Sequence, residues 1–138
     1  MPARDKFHNS VKAGLECEGW TITADPLYLE FGGVDLYVDL AADKVLAAEK
    51  EGRKIAVEIK SFIAPSLVSE FHTALGQFIN YRTALKVQEP ERHLYLAVPE
   101  DTYKIFFMLP FTQTVISQQQ MKLIVYHIDK EVILKWYE

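Results

Sequence analysis

The sequence predicts a single α/β (α+β) domain: a mixed central sheet flanked by helices, closed by a C-terminal β-hairpin. Three observations predict it. Ser66–Lys86 repeats apolar residues at helical spacing, while "IAVEIKSF" (Ile55–Phe62) and "HLYLAVP" (His93–Pro99) are short apolar runs of strand length. Helical and strand patterns also alternate along the chain instead of segregating into halves.

The totals agree. A chain of 138 residues is one ordinary domain, 1–138, with no repeat, low-complexity tract or linker-like segment. Hydrophobic content of 49% and charged content of 25% fit a globular protein and oppose disorder. The single cysteine, Cys17, excludes an internal disulfide and a cysteine-based zinc cluster. No apolar run is long enough to span a bilayer, and "MPARDKFHNS" lacks an apolar signal segment, so the expected location is cytoplasmic. The net charge of −4 argues against a nucleic-acid binder that relies on overall positive charge, though a local basic stripe or a partner protein can repair this.

Taken in order, the first helix is expected from about Arg4 to Glu18: Phe7, Val11 and Leu15 recur every four residues, Asp5 sits in the first turn, and Gly19 ends it. Trp20 to Leu40 then changes period, with Pro26 and Gly32-Gly33 as punctuation, which suggests short strands or a hairpin. "AADKVLAAEKEGRK" admits two readings. Its Ala, Leu, Lys and Glu favour a helix with Gly52 as C-cap, but it can equally be a strand paired with "IAVEIKSF" through a turn at Glu51-Gly52-Arg53. The clearest helix follows. Leu67, Val68, Phe71, Leu75, Phe78, Ile79, Arg82 and Leu85 form its stripe, Ser66 caps its start, and it closes before Pro90. "EDTYKIFFMLPFTQTVISQQQ" reads as one or two helices broken around Pro110. "KLIVYHIDKEVILKWYE" reads as a hairpin turning at Asp129-Lys130. The expected order is α-β-β-β-α-β-α-β-β.

The chemistry concentrates in "IAVEIKSF". Side chains alternate faces on a strand, so Ile55, Val57 and Ile59 point one way while Ala56, Glu58 and Lys60 point the other. If "KVLAAEKE" is the neighbouring antiparallel strand, Asp43 comes near the level of Glu58. Two carboxylates and a lysine then share one sheet position. Paired carboxylates suit a hard divalent cation such as Mg²⁺, with the Ile59 carbonyl and waters completing the shell. Such a metal polarises a phosphoryl oxygen and lowers the pKa of bound water, and Lys60 is placed to orient that water or offset developing charge.

Asp43 followed by "VEIK" resembles the PD-(D/E)xK motif of restriction-endonuclease-like and Holliday-junction-resolvase-like domains, whose αβββαβ core matches the expected order from Arg4 to Pro99. Gln77 and Tyr81 give a "QxxxY" spacing similar to a secondary feature of several such nucleases; the two share a helix face off the main apolar stripe. The motif's Pro is replaced by Ala42, and Asp35 and Asp39 compete for the role of first acid, Asp39 if the register shifts by a few residues. More narrowly, "GWTITADPLYL", "VDLAADKVLAAEKEGRKIAVEIKSF", "FHTALGQFINYR" and "LYLAVPEDTYKIFF" resemble the XisH proteins of cyanobacteria, the fdxN-element excision controlling factors. That resemblance implies an endonuclease-like fold, a role in regulated excision of a DNA element, and work beside a second controlling factor, XisI. DNA and a second copy of the chain are also expected partners, no membrane is expected, and the expected cofactor is Mg²⁺ (or Mn²⁺ in its place).

Plainer readings stand beside these. Glu58 and Lys60 also fit a solvated charge pair on an open sheet face. His8, Lys12 and Glu16 fit an ion-paired helix face, the alternative being that His8 or Glu16 reaches the metal site or a phosphate. His72 reads as surface, His93 as a strand start, and Trp20 and Trp136 as core material instead of base-stacking platforms. Three functions compete: a metal-dependent endonuclease using Asp43, Glu58 and Lys60; a catalytically inactive nuclease-like scaffold acting through protein contacts; and a toxin-like nuclease restrained by a neighbouring protein.

Overall fold

Phe7, Val11 and Leu15 do build a helix, α1 (His8–Cys17), with Val11 and Leu15 fully buried and Gly19 turning the chain out at φ 93°. The computed structural model describes residues 5–45 and 52–138. Asp5 precedes α1 instead of lying in its first turn, and its carboxylate accepts the N–H groups of Phe7 and Ser61, each at 2.9 Å.

Five strands, not the expected three, separate α1 from the long helix. β1 (Thr21–Ala24) is followed by β2 (Leu27–Phe31) and β3 (Val34–Val38). These two close on each other through Gly32-Gly33, whose φ values of 59° and 84° are those of a two-residue turn that matches strand twist. They form a small separate sheet, tied to the long helix by the Gln88 amide donating to the Glu30 carbonyl. At Asp39 the chain bends out of this hairpin, and β4 (Leu40–Lys44) enters the main sheet between β1 and β5 (Arg53–Ile59). The extended reading of "AADKV" therefore holds as far as Lys44. The rest of that segment, "LAAEKE", lies outside the described residues.

The main sheet is mixed, in the order β1-β4-β5-β6-β7-β8, with a parallel centre β5-β6-β7 and antiparallel flanks. The helix α2 (Leu67–Gln88) leads from β5 to β6 (Arg92–Pro99), and the Ser66 hydroxyl accepts the Ser69 N–H at 3.2 Å as its N-cap. Its buried face is Phe71, Ala74, Phe78, Tyr81, Ala84 and Leu85. That face is rotated from the expected stripe: Val68 is 43% exposed, while Tyr81 turns inward. Small residues at 74 and 84 let the helix settle on the sheet along that line. After β6, the short α3 (Glu100–Thr102) runs into a π-helical turn at Tyr103–Phe107, and α4 (Pro110–Gln119) restarts with Pro110 at its first position. β7 (Lys122–His127) and β8 (Val132–Tyr137) form the expected terminal hairpin.

The sheet carries a core on each face. Leu40, Ile55, Val57, Ile59 and Tyr95 pack with Val11 and Leu15 of α1. Ala56, Leu94, Leu96 and Val98 pack with Phe71, Phe78 and Tyr81 of α2. β5 is thus covered on both sides, as central parallel strands are. A carboxylate on its second face has no open solvent to meet.

Candidate functional site

The register of β4 on β5 decides which acid stands beside Glu58. Leu40 pairs with Val57 and Asp43 with Lys54, so Asp39 is the residue brought level with Glu58. The expectation that Asp43 would occupy this place is corrected by that pairing. A tight turn at Glu51-Gly52-Arg53 would have set Lys50 opposite Lys54, seven positions from the observed register; instead the ladder closes at Lys44 and Arg53. The Asp43 carboxylate is held at 2.9 Å by the guanidinium of Arg92, which also binds Glu89 at 2.9 Å and the Ile55 carbonyl at 3.0 Å. Asp43 belongs to a structural ion network at the other end of the strand.

Asp39 and Glu58 clasp each other through the backbone. The Ile59 N–H donates to Asp39 Oδ2 at 2.7 Å, and the Asp39 N–H donates to Glu58 Oε1 at 3.3 Å. Lys60 Nζ lies 3.7 Å from Glu58 Oε2. Glu58 is only 4% exposed, so the pair is not a solvated face. Burial, reinforced by the neighbouring Asp39 charge, pushes the Glu58 carboxyl up to about 9, with Lys60 opposing but not reversing the effect. Tyr81, on α2, joins the site. Its hydroxyl is pushed up to about 12 by burial and by the charges of Glu58 and Asp39. Gln77, one turn earlier on α2, has its Oε1 buried with no hydrogen-bond partner among the described residues. Directly after the site, Phe62 adopts φ 54°, a left-handed conformation disfavoured for a non-glycine residue, while its ring packs edge-on to Phe107 at 5.4 Å.

His8 and Glu16 do not reach this site. His8 Nε2 lies 2.8 Å from Asp25 Oδ1 and Lys12 Nζ 3.0 Å from Asp25 Oδ2, an ion-paired set on α1, and Glu16 is exposed. Asp5 is the polar residue that sequence reasoning passed over. Expected as a helix-end acid, it instead holds the Ser61 N–H, one residue beyond Lys60. Only its position before a helix hinted at capping, and nothing local pointed to a strand so far away in sequence.

Two carboxylates converge at the site, and among the described residues no group of three or more His, Cys, Asp or Glu side chains is placed to hold a metal. The carboxylates at the site, Asp39 and Glu58, offer only oxygen donors. That set fits Mg²⁺, which commonly binds through one or two carboxylates and retains several waters. A buried carboxyl that otherwise keeps its proton also fits a place where a cation would balance the charge.

The XisH protein family model matches residues 1–134. The crystal structure of an XisH family protein from Nostoc punctiforme PCC 73102 is 52% identical and superposes with a TM-score of 0.89, covering 97% of this chain and 100% of that one. The crystal structure of an fdxN element excision controlling factor protein from Anabaena variabilis is 53% identical, with a TM-score of 0.88 and coverage of 98% and 100%. No curated protein matches the chain.

Proposed function

Because this chain belongs to the XisH family, we propose that it is a controlling factor for excision of an fdxN-type DNA element, built on a restriction-endonuclease-like PD-(D/E)xK core. The observation that carries the nuclease-like part is the buried Asp39–Glu58 pair with Lys60 beside it. Asp39, Glu58 and the Ile59 carbonyl would hold Mg²⁺, or Mn²⁺ in its place. Once bound, the ion would supply Lewis-acid polarisation of a DNA phosphate and a water acidic enough to attack it. Lys60 would orient that water and offset charge on the phosphoryl oxygens, Tyr81 would close the α2 side of the site, and burial by α2 would keep bulk solvent from competing. DNA is the substrate, and a second controlling factor is the working partner.

Supercoiled DNA incubated with the protein and Mg²⁺ or Mn²⁺, alone and with that partner, tests the reading. Nicking or cleavage is expected, and Asp39→Ala, Glu58→Ala and Lys60→Ala should each remove it. DNA left intact under every condition overturns the hydrolytic reading. A second reading, a scaffold that regulates excision through protein contacts, draws on the way Glu58 and Asp39 satisfy each other through backbone N–H groups. Excision that proceeds in cells carrying Glu58→Ala selects the scaffold.

A further inference from the structure

Cations gather at the pole of the sheet opposite Glu58. β5, β6 and β7 run parallel, so Arg53, Arg92, His93 and Lys122 begin their strands at one end. The last turns of α2 bring Arg82 and Lys86 to the same place. Two adjoining cavities of about 200 and 720 Å³ open there, and Arg82, Lys86, Gln120 and Lys122 line both. Glu138 is the one carboxylate among their lining residues, and it is engaged at 2.7 Å by Arg53. The pole is about 17 Å from Glu58 along β5, at 3.3–3.4 Å per residue.

The cations differ in what they already do. Arg92 is committed to Asp43 and Glu89, and Arg82 donates to the Gln119 carbonyl at 2.5 Å. Lys86 is exposed on the outer turn of α2. Lys122 Nζ sits 3.4 Å from His93 Nδ1. His93 is held below its usual range by burial first and then by Lys122 and Arg53, with Glu138 opposing them. A local basic cleft of this kind is what a chain of net charge −4 needs if it is to hold a polyanion.

We propose that this cleft binds the sugar–phosphate backbone of a nucleic acid, with Lys86 and Lys122 as its principal phosphate ligands. The Ser117 hydroxyl and the Gln118 and Gln120 amides between the cations supply neutral donors for phosphate and sugar oxygens, the mixture that backbone recognition uses. An acidic peptide is the competing polyanion. Peptide capture works through a strand edge or apolar anchor pockets; the larger cavity is lined mainly by lysine, arginine, glutamine and serine, and the apolar Phe78, Leu85, Pro90 and Leu94 are confined to the smaller one. The inference deepens the reading of the chain as a factor that acts on DNA, but it does not depend on the carboxylate site.

The test is fluorescence anisotropy with a labelled 20-nucleotide single strand and its duplex, in EDTA, using full-length Glu58→Gln protein so that no cleavage enters. Saturable, salt-sensitive binding is expected. Replacing both lysines (Lys86→Ala with Lys122→Ala) should weaken single-strand affinity about 25-fold at 0.1 M salt, about fivefold for each phosphate no longer neutralised, and lower the salt slope by about 1.4. A matched pair at the other pole, Lys104→Ala with Lys130→Ala, should change neither. Unchanged thermal melts confirm that the variants are folded. No binding, binding reduced equally by both pairs, or a response to pyrophosphate or a poly-glutamate peptide but not to either nucleic acid overturns the proposal. Because metal is absent throughout, failure of hydrolysis and failure of this cleft are told apart.

Discussion

Glu58 makes the stability of the metal-free protein fall as pH rises. Its carboxyl is pushed up to about 9 in the folded state from an ordinary value of 4.5. A group whose folded pKa is raised contributes stability that is fully present below the unfolded value and is lost as pH climbs towards the folded one. The window is therefore pH 4.5 to 9. At 1.36 kcal/mol per unit, the ceiling between pH 5 and pH 8 is about 4 kcal/mol. Relaxation and water penetration soften burial penalties, so a loss of about 1–3 kcal/mol is expected. The assay is urea unfolding in EDTA at pH 5, 6, 7 and 8 for wild type and Glu58→Gln. The isostere removes this titration and leaves the histidines unchanged, so the difference between the curves isolates Glu58. The variant should lack the downward slope and be the more stable protein at pH 8. Mg²⁺ at about one hundred times its Kd should add about 2.7 kcal/mol to wild type and much less to the variant. A wild-type curve that is flat or rising relative to Glu58→Gln across this window would refute the reasoning.

Asp39→Ala and Asp43→Ala should separate by function: the first should abolish any metal-stimulated cleavage, and the second should leave cleavage intact while lowering the melting temperature by breaking its ion pair with Arg92. Plasmid nicking and thermal melts on both variants check this. Gly52→Ala should cost at least about 2 kcal/mol in urea unfolding, because residue 52 sits at φ 70° and an added Cβ would lie 2.3 Å from the Lys44 carbonyl oxygen. Ser66→Ala should cost about 1 kcal/mol in the same assay by freeing the Ser69 N–H.

What could be read from the residues was set by local rules. α1, α2 and the final hairpin follow from helical spacing, a serine cap and a turn dipeptide, all within a few residues of one another. Glu58 and Lys60 were visible because strand alternation puts them on one face. What stood across from them was not visible, since antiparallel register depends on the length and geometry of the connection, here residues 45–52, and not on the strands alone. That is why Asp43 looked like the partner and Asp39 proved to be it. The inward turn of Tyr81 also escaped the hydrophobic pattern. A tyrosine counts as polar in such a stripe until small alanines bring its helix down onto the sheet.

Asp39 is positioned by the joint between two sheets, where the β2–β3 hairpin hands the chain to β4. The two ends of that hairpin therefore have unequal freedom. Loop tips of different size at Gly32-Gly33 can be grafted or varied without moving the acid, so the hairpin is a natural place for relatives to diverge. A single residue inserted between Val38 and Leu40 would do the opposite, carrying the acid out of step with Glu58 and separating the pair in one mutational event.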